Sequence, residues 1–279
     1  MKTIIKSTSI IALFAIIGIS INACNNTNKD SDDPECKCTN ECNCNCSSDC
    51  TGECPFCEAT NNVCKTHTMK WIVTNTTTYP ATSTEKCIIC DTSSDSATRN
   101  TQIGDIGPAG GIIFYVKAEG FIVEGYESTF DNYTAHYLEA APTRDFNARW
   151  SSATMVNKIE NLSNNIGSGR KNTHILKNSL AYNNAARVCI DKNTNGFTDW
   201  FLPSINELKE MNKVKGVEGI LKDGVCWSSS QHGLVTKMDS STGHRPIYIL
   251  YALCFDFSFG ASRYAETTVF YRVHAIRAF

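Results

Sequence analysis

Four groups of residues have side chains whose types and spacing could do chemistry. Asp191-x-Asn193-x-Asn195-Gly196-x-x-Asp199 sets oxygen ligands at alternate positions ahead of a glycine. This is the first half of a calcium loop, with Asp199 in the ninth place. The twelfth place holds Leu202, which cannot coordinate, so a polar turn accounts for the same residues. Cys54-x-x-Cys57 and Cys87-x-x-Cys90 are spaced like zinc-ribbon knuckles, and their four thiolates would complete one tetrahedral shell. Lys237, His244, Arg245 and Arg263 fall in or near late loops, where basic side chains on one face could hold an anionic polymer through salt-sensitive contacts. Gly167, Gly169, Arg170 and Lys171 bring donors and charge to a helix start. A solvated helix end explains that last group as well.

Catalytic constellations are harder to find. Ser228–Ser230 sit in a predicted strand with no nucleophile elbow and no neighbouring base. The histidines are scattered without a metal-ligand spacing, and His67 stands alone. A pair of distant carboxylates could still meet in space, as in glycosidases. The residues therefore point to binding rather than catalysis. No cofactor is required, and calcium or zinc are the ions that the side chains would suit.

The elements that must position these groups centre on Asn195–Leu208. Asn195-Gly196 is a turn dipeptide tolerant of positive φ. Trp200, Phe201 and Leu202 are too bulky to leave in water together, and Pro203 stops the extended run. Ser204-x-x-Glu207 is a capping box opening a helix whose core face carries Ile205, Leu208 and Met211. Trp200, Pro203, Ser204 and Glu207 thus read as structural.

Around that centre, the glycines of 104–111 lead into a first strand at 112–116, so a tight turn suits them better than a phosphate cradle. Collagen-like triplets there last only two repeats. Residues 119–134 read as a variable loop with some strand character, and 137–141 as a short buried strand. A helix, open to a break, is expected over 170–188, a strand at 226–230, a loop over 232–246 and a buried strand at 248–257. At least one more strand lies in 267–279, and the last is expected inside the sheet beside the first. These elements predict an α+β domain with a mostly antiparallel sheet and two main helices.

Length and charge divide the chain of 279 residues, 15 cysteines and formal net charge −2. Residues 1–23 read as an export signal, with Lys2 and Lys6 before an apolar run over 10–19 too short to span a bilayer. Ile21-Asn22-Ala23-Cys24 resembles a lipobox, making Cys24 the acylated N-terminus, and ordinary cleavage after Ala23 is the alternative. Residues 24–35 are a polar tether. Residues 36–90 form a cysteine-rich module with eleven cysteines. Export favours disulfides there over metal, and an odd count leaves one cysteine free, paired with Cys189, Cys226 or Cys254, or bridging two molecules. Residues 91–102, rich in Ser and Thr, read as a linker into a domain over 103–279. That domain carries 18 Lys/Arg against 17 Asp/Glu, so no basic bias points to nucleic acid.

Asp199-Trp200-Phe201-Leu202-Pro203-Ser204-x-x-Glu207-Leu208 resembles the central motif of the domain ending the Legionella collagen-like adhesin. Gly104–Phe114, Tyr137–Pro142, Trp227–Ser230 and Val273–Phe279 fall in the family's order. The resemblance covers about 103–279 and implies a C-type-lectin-like fold, related to formylglycine-generating enzymes. Nothing around Cys226 or Cys254 resembles the active-site segment of those enzymes. In the adhesin the domain binds sulfated glycosaminoglycans and assembles as a trimer. This chain has no collagen-like stalk, so a homo-oligomer stays open. The expectation is a surface-exposed, adhesin-like lipoprotein, anchored in the outer membrane and binding an extracellular glycan or a host or matrix protein. The alternatives are an envelope enzyme or metal-binding protein using the cysteine-rich module, and a structural envelope lipoprotein.

Overall fold

Trp200, Phe201 and Leu202 run extended, so their side chains leave the backbone on alternate sides. Trp200 and Leu202 enter a core with Trp150, Leu176 and Trp227, while Phe201 enters another with Phe114, Leu208 and Phe257. This short segment is therefore the wedge between two hydrophobic cores. Phe201 also exchanges backbone hydrogen bonds with Ile276, at 2.8 and 3.0 Å, which ties the wedge to the end of the chain.

The computed structural model describes residues 68–88, 93–142, 147–154, 157–239 and 245–279, together with the backbone pairing of four short segments before them. The chain divides into two compact units, Met1–His67 and Thr68–Phe279. In the first, Lys37–Cys38 pairs with Cys44–Asn45 and Cys57–Glu58 with Val63–Cys64, both antiparallel. Among the described residues no helix is long and apolar enough to cross a membrane.

The second unit begins well before the expected boundary. Strands β1 (Met69–Asn75), β2 (Thr82–Cys87) and β3 (Ser93–Asn100) form an antiparallel sheet. β3 thus occupies the stretch read as a linker. Its Ser/Thr-rich sequence lacks an apolar face, but β-branched Thr suits a strand and the ladder itself supplies the bonds. Val73 N donates to Ile106 O at 2.8 Å, and Ser83 Oγ donates to buried Asp105 at 2.7 Å, joining this sheet to the glycine-rich turn.

That turn closes as Gly107 N donates to Gly111 O at 2.8 Å and Gly110 N donates to Gly107 O at 2.9 Å. β4 (Ile112–Val123) follows, then β5 (Tyr133–Ala140), and the two pair antiparallel. The short β6 (Ala148–Arg149) leads to α1 (Gly169–Ser179), α2 (Ala185–Ile190) and α3 (Ile205–Lys213). The expected helix over 170–188 is broken. Leu180 leaves α1 in an extended conformation, and Asn184 starts α2 as its N-cap, its side chain accepting from Arg187 N. Three helices therefore stand where two were expected.

β7 (Val225–Asp239) and β8 (Arg245–Asp256) form one long antiparallel hairpin, and β9 (Ala261–Glu266) pairs with the inner part of β8. The stretch 232–246 was expected to be a loop, yet its first eight residues and its end are strand. Val235 and Thr236 sit opposite Ile249 and Tyr248, a β-branched and aromatic ladder that outweighs the polar composition. β10 (Phe270–Tyr271) pairs with β6. β11 (Ile276–Ala278) pairs with β5, giving the order β11-β5-β4. The last strand thus pairs into the sheet, but as its edge strand beside β5 rather than inside it beside the first strand, β4. The class is α+β with mostly antiparallel sheets.

Candidate functional site

The acids and the arginine of the sequence motifs meet in two buried networks. Glu139, on β5, is fully buried and accepts from the amides of Gly111 at 2.7 Å and Ala109 at 3.0 Å. Arg277, on β11, donates to Glu139 at 3.1 Å and in a fork to Asp199 at 3.0 and 3.1 Å. Its guanidinium also lies 4.2 Å from the Phe197 ring centroid. Burial pushes the Glu139 carboxyl up, against the pull of Arg277 and the two amides. Four motifs distant in sequence are thereby joined through one guanidinium.

The second network is the capping box, with both halves formed. Ser204 Oγ accepts from Glu207 N at 3.2 Å, and Glu207 accepts from Ser204 N at 2.6 Å. Glu207 also accepts from Gly167 N at 2.8 Å and from the Gly169 amide. The carboxylate thus holds the start of α1 against the start of α3. Burial pushes its carboxyl up from 4.5 to about 7. Thr173 adds a clamp between α1 and the wedge, accepting from Leu202 N at 2.9 Å. Trp200 and Pro203 are buried as well, in keeping with their structural reading.

Two of the calcium-spaced residues, Asn195 and Asp199, have other side-chain partners. Asp191 ends α2, with its amide bonded to Arg187 O, and Asn193 is exposed. Asn195, at φ 52°, occupies the expected turn with Gly196, and its side-chain amide donates to Ala109 O at 3.0 Å. Asp199 faces Arg277. Among the described residues no group of three or more His, Cys, Asp or Glu side chains could hold a metal ion. Of the zinc-spaced cysteines, Cys87 is buried at the end of β2, while the side chains of Cys54, Cys57 and Cys90 lie outside the described residues, as does Cys24. Cys189, Cys226 and Cys254 pack in the cores, where burial pushes the Cys254 thiol up to about 12.

The basic residues of the late strands do not gather on one face. Lys237 stands opposite Ile247, and Glu266 opposite Tyr251, so both share the face of those two β8 residues. Arg263 stands opposite Cys254, which points to the other face. Each already has a carboxylate: Lys237 pairs with Glu266, and Arg263 with Asp256 at 3.2 Å. Arg245 is exposed near the end of the hairpin, and His244 lies outside the described residues. Strand alternation thus sets Lys237 and Arg263 on opposite faces of the β7–β9 sheet.

Other groups with chemical capacity are placed for structure. Ser228 Oγ donates to Leu253 O at 2.7 Å and Ser230 Oγ to Ser163 O at 3.1 Å, while Ser229 Oγ accepts from buried Asn172. His174 packs between Tyr126 and Phe130, and burial, aided by nearby Arg170 and Lys177, lowers its pKa to about 4. Lys171, of the glycine-flanked pair at the start of α1, is joined to Glu124 at 3.0 Å, and Arg170 lies over the rings of Phe130 and Tyr133.

A cavity of about 500 Å³ lies between α2, the segment before it and the β6–β10 ladder. Its walls include Arg149, Tyr182, Asn183, Arg187, Asp191 and Phe270. Tyr182 is 68% exposed and Phe270 57%, and each ring has an arginine over it, Arg187 at 5.0 Å and Arg149 at 4.6 Å. The frame beneath is tied by hydrogen bonds from two tryptophans and an asparagine. Trp227 Nε1 donates to Ala148 O at 3.0 Å and Trp150 Nε1 to Ser228 O at 2.8 Å, pinning β6 on both sides. On the opposite wall, Asn184 accepts from Arg187 N at 3.1 Å and donates to Ala181 O at 2.6 Å. Of the sequence motifs, only the calcium-like spacing reaches this cavity, through Asp191. The other local hint is Tyr182-Asn183-Asn184, an aromatic and two amides in the helix break.

No family profile matches the chain, and no curated protein matches it.

Proposed function

We propose that the protein is an exported lipoprotein, acylated at Cys24 and anchored at the cell surface, whose C-type-lectin-like domain binds an extracellular glycan without transforming it. The observation that carries this reading is the cavity walled by Arg149, Tyr182, Arg187 and Phe270. Concave sites with aromatic walls and a few convergent polar groups are those that grip small ring-shaped units. The acids of the sequence motifs favour the same reading. Glu139 and Glu207 are fully buried and bonded to backbone amides, which makes them parts of the frame.

The test is binding of the purified full-length protein, in detergent, to an array of neutral, carboxylated and sulfated glycans, repeated at raised salt. Saturable binding to a defined subset is expected. An array without a single specific signal overturns the glycan reading in favour of a protein ligand. Export and acylation are checked separately, since Cys24→Ser is expected to abolish partition into the detergent phase.

A further inference from the structure

The loop between β4 and β5 is held against α1 and leaves a groove of about 490 Å³ beside the helix. One border is a single stripe of α1, with Lys171, Ile175 and Ser179 at the i, i+4 and i+8 positions. The loop brings Tyr126 and Glu127, and the segment before α1 brings Ile159 and Glu160. Both of these borders are pinned. Asn178 donates to the Tyr126 hydroxyl at 3.0 Å, and His174 packs between Tyr126 and Phe130. Ile159 N donates to Gln231 Oε1 at 3.1 Å, and the Gln231 amide donates back to Ile159 O at 2.5 Å. The groove is therefore formed before any ligand arrives.

Charge sets this groove apart. Most described carboxylates of the second unit have a cation beside them, as Asp105 has Arg99, Glu210 has Lys213, Glu218 has Lys70 and Glu266 has Lys237. Glu127 and Glu160 differ. Both are exposed, neither forms an ion pair with a described cation, and they reach the groove from separate borders. Lys171 is the one cation among the described lining residues, and Glu124 already pairs with it at 3.0 Å. Buried Ile159 and Ile175 thus lie at the bottom of a groove whose rim carries two uncompensated carboxylates. A compact cation would use the carboxylates alone and leave the apolar part wet. An arginine side chain suits both parts. Its stem packs on apolar surface, and its planar head has enough donors to serve two carboxylates at once. The stripe from Lys171 to Ser179 is about 12 Å long, the span of about four residues of extended chain.

We infer that this groove receives an arginine side chain from an extended basic segment of a partner protein, with the guanidinium between Glu127 and Glu160 and the stem against Tyr126, Ile159 and Ile175. The inference does not rest on the glycan reading. The groove shares no lining residue with the cavity beside α2, and it takes a ligand of the opposite charge to one that Arg149 and Arg187 would hold.

The experiment is a ligand-observed NMR titration of the full-length protein in non-ionic detergent with acetylated, amidated tetrapeptides that carry one arginine, citrulline or lysine among alanines. Citrulline keeps the shape of arginine and removes its charge. The arginine peptide is expected to bind at least about tenfold more tightly than the citrulline peptide and about threefold more tightly than the lysine peptide, with affinity falling as salt is raised. Glu127→Gln and Glu160→Gln, both at exposed positions, are expected to weaken it about fivefold each while leaving the melting temperature unchanged. Asp131→Asn, exposed on the same loop but outside the groove lining, is expected to leave binding unchanged. Citrulline binding as tightly as arginine overturns the ion pair, and lysine binding as tightly overturns the guanidinium. Equal weakening by Asp131→Asn, or none by either glutamate variant, overturns the location. If no peptide binds, the groove is not a site for a basic segment, and the glycan reading stands or falls on its own array.

Discussion

Replacing Glu207 by Gln tests whether this buried carboxylate makes the fold sensitive to pH. The side chain is fully buried and accepts from the amides of Ser204, Gly167 and Gly169, with no cation among its neighbouring influences. Three N–H donors favour the ionised form, but removal from water opposes it more strongly, and the carboxyl titrates near 7 instead of 4.5. Between those values the folded chain binds more protons at this site than the unfolded chain. The stability associated with the protonated form is therefore complete below pH 4.5 and is lost as pH rises through about 7. At about 1.4 kcal/mol per pH unit, that interval corresponds to a loss of about 3 kcal/mol.

Glu207→Gln removes the titration and keeps one carbonyl oxygen for the amides. Its own NH₂ must then face a backbone N–H, at a cost of about 1–3 kcal/mol for a buried unsatisfied donor. The variant is thus expected to be less stable than wild type at pH 4.5 and to match or exceed it at pH 8. Urea-unfolding midpoints at intervals between those values measure the difference, provided the slope with urea is common to both proteins. Comparing the two proteins cancels Glu139 and His174, which titrate in both. Parallel curves, with a constant deficit across the range, would refute the reasoning and reduce Glu207 to a plain hydrogen-bond acceptor.

Other consequences follow from the same frame. Arg277→Met strands fully buried Glu139 and is expected to cost about 3–5 kcal/mol in denaturant unfolding, with part recovered in the Glu139→Gln/Arg277→Met double variant. His174, held near 4 by burial, contributes stability that is present above its ordinary 6.5 and lost as pH falls towards 4. His174→Asn should therefore flatten the acid limb of the stability profile, and an unchanged limb would count against that account. Gly111→Ala drives a Cβ into the Ala140 carbonyl oxygen and is expected to cost at least about 3 kcal/mol. Gly196→Ala meets no atom within 4 Å, and only its φ of 82° opposes it, so a loss of about 1 kcal/mol is expected in the same assay.

The parts of this architecture that could be read from the sequence are those governed by neighbours. Asn195-Gly196 turns, Pro203 ends the wedge, and Ser204 with Glu207 closes the box, because each depends on residues within a few positions. The first strand, the core face of α3 and the α+β class follow from local periodicity for the same reason. What escaped is fixed by distance. β2 and β3 are held by ladder bonds that a polar sequence does not advertise, and Thr68 opens the compact unit. Glu207 was assigned to its cap, yet nothing near it in sequence announces the amides of Gly167 and Gly169.

The charged residues give the same lesson with more force. Asp199 carried a calcium-like spacing, but its partner Arg277 lies 78 positions on, and Glu139 lies 138 positions before Arg277. Lys237 and Arg263 looked alike as members of late loops, but strand register sends them to opposite faces and supplies each with an acid. Arg149 and Arg187 carried no motif at all, and the fold gives them rings in place of carboxylates. A buried arginine with an acid on either side holds a frame together. Arg187 instead lies 5.0 Å from the centroid of the exposed Tyr182 ring, and its buried Nε–H has no acceptor among the described residues.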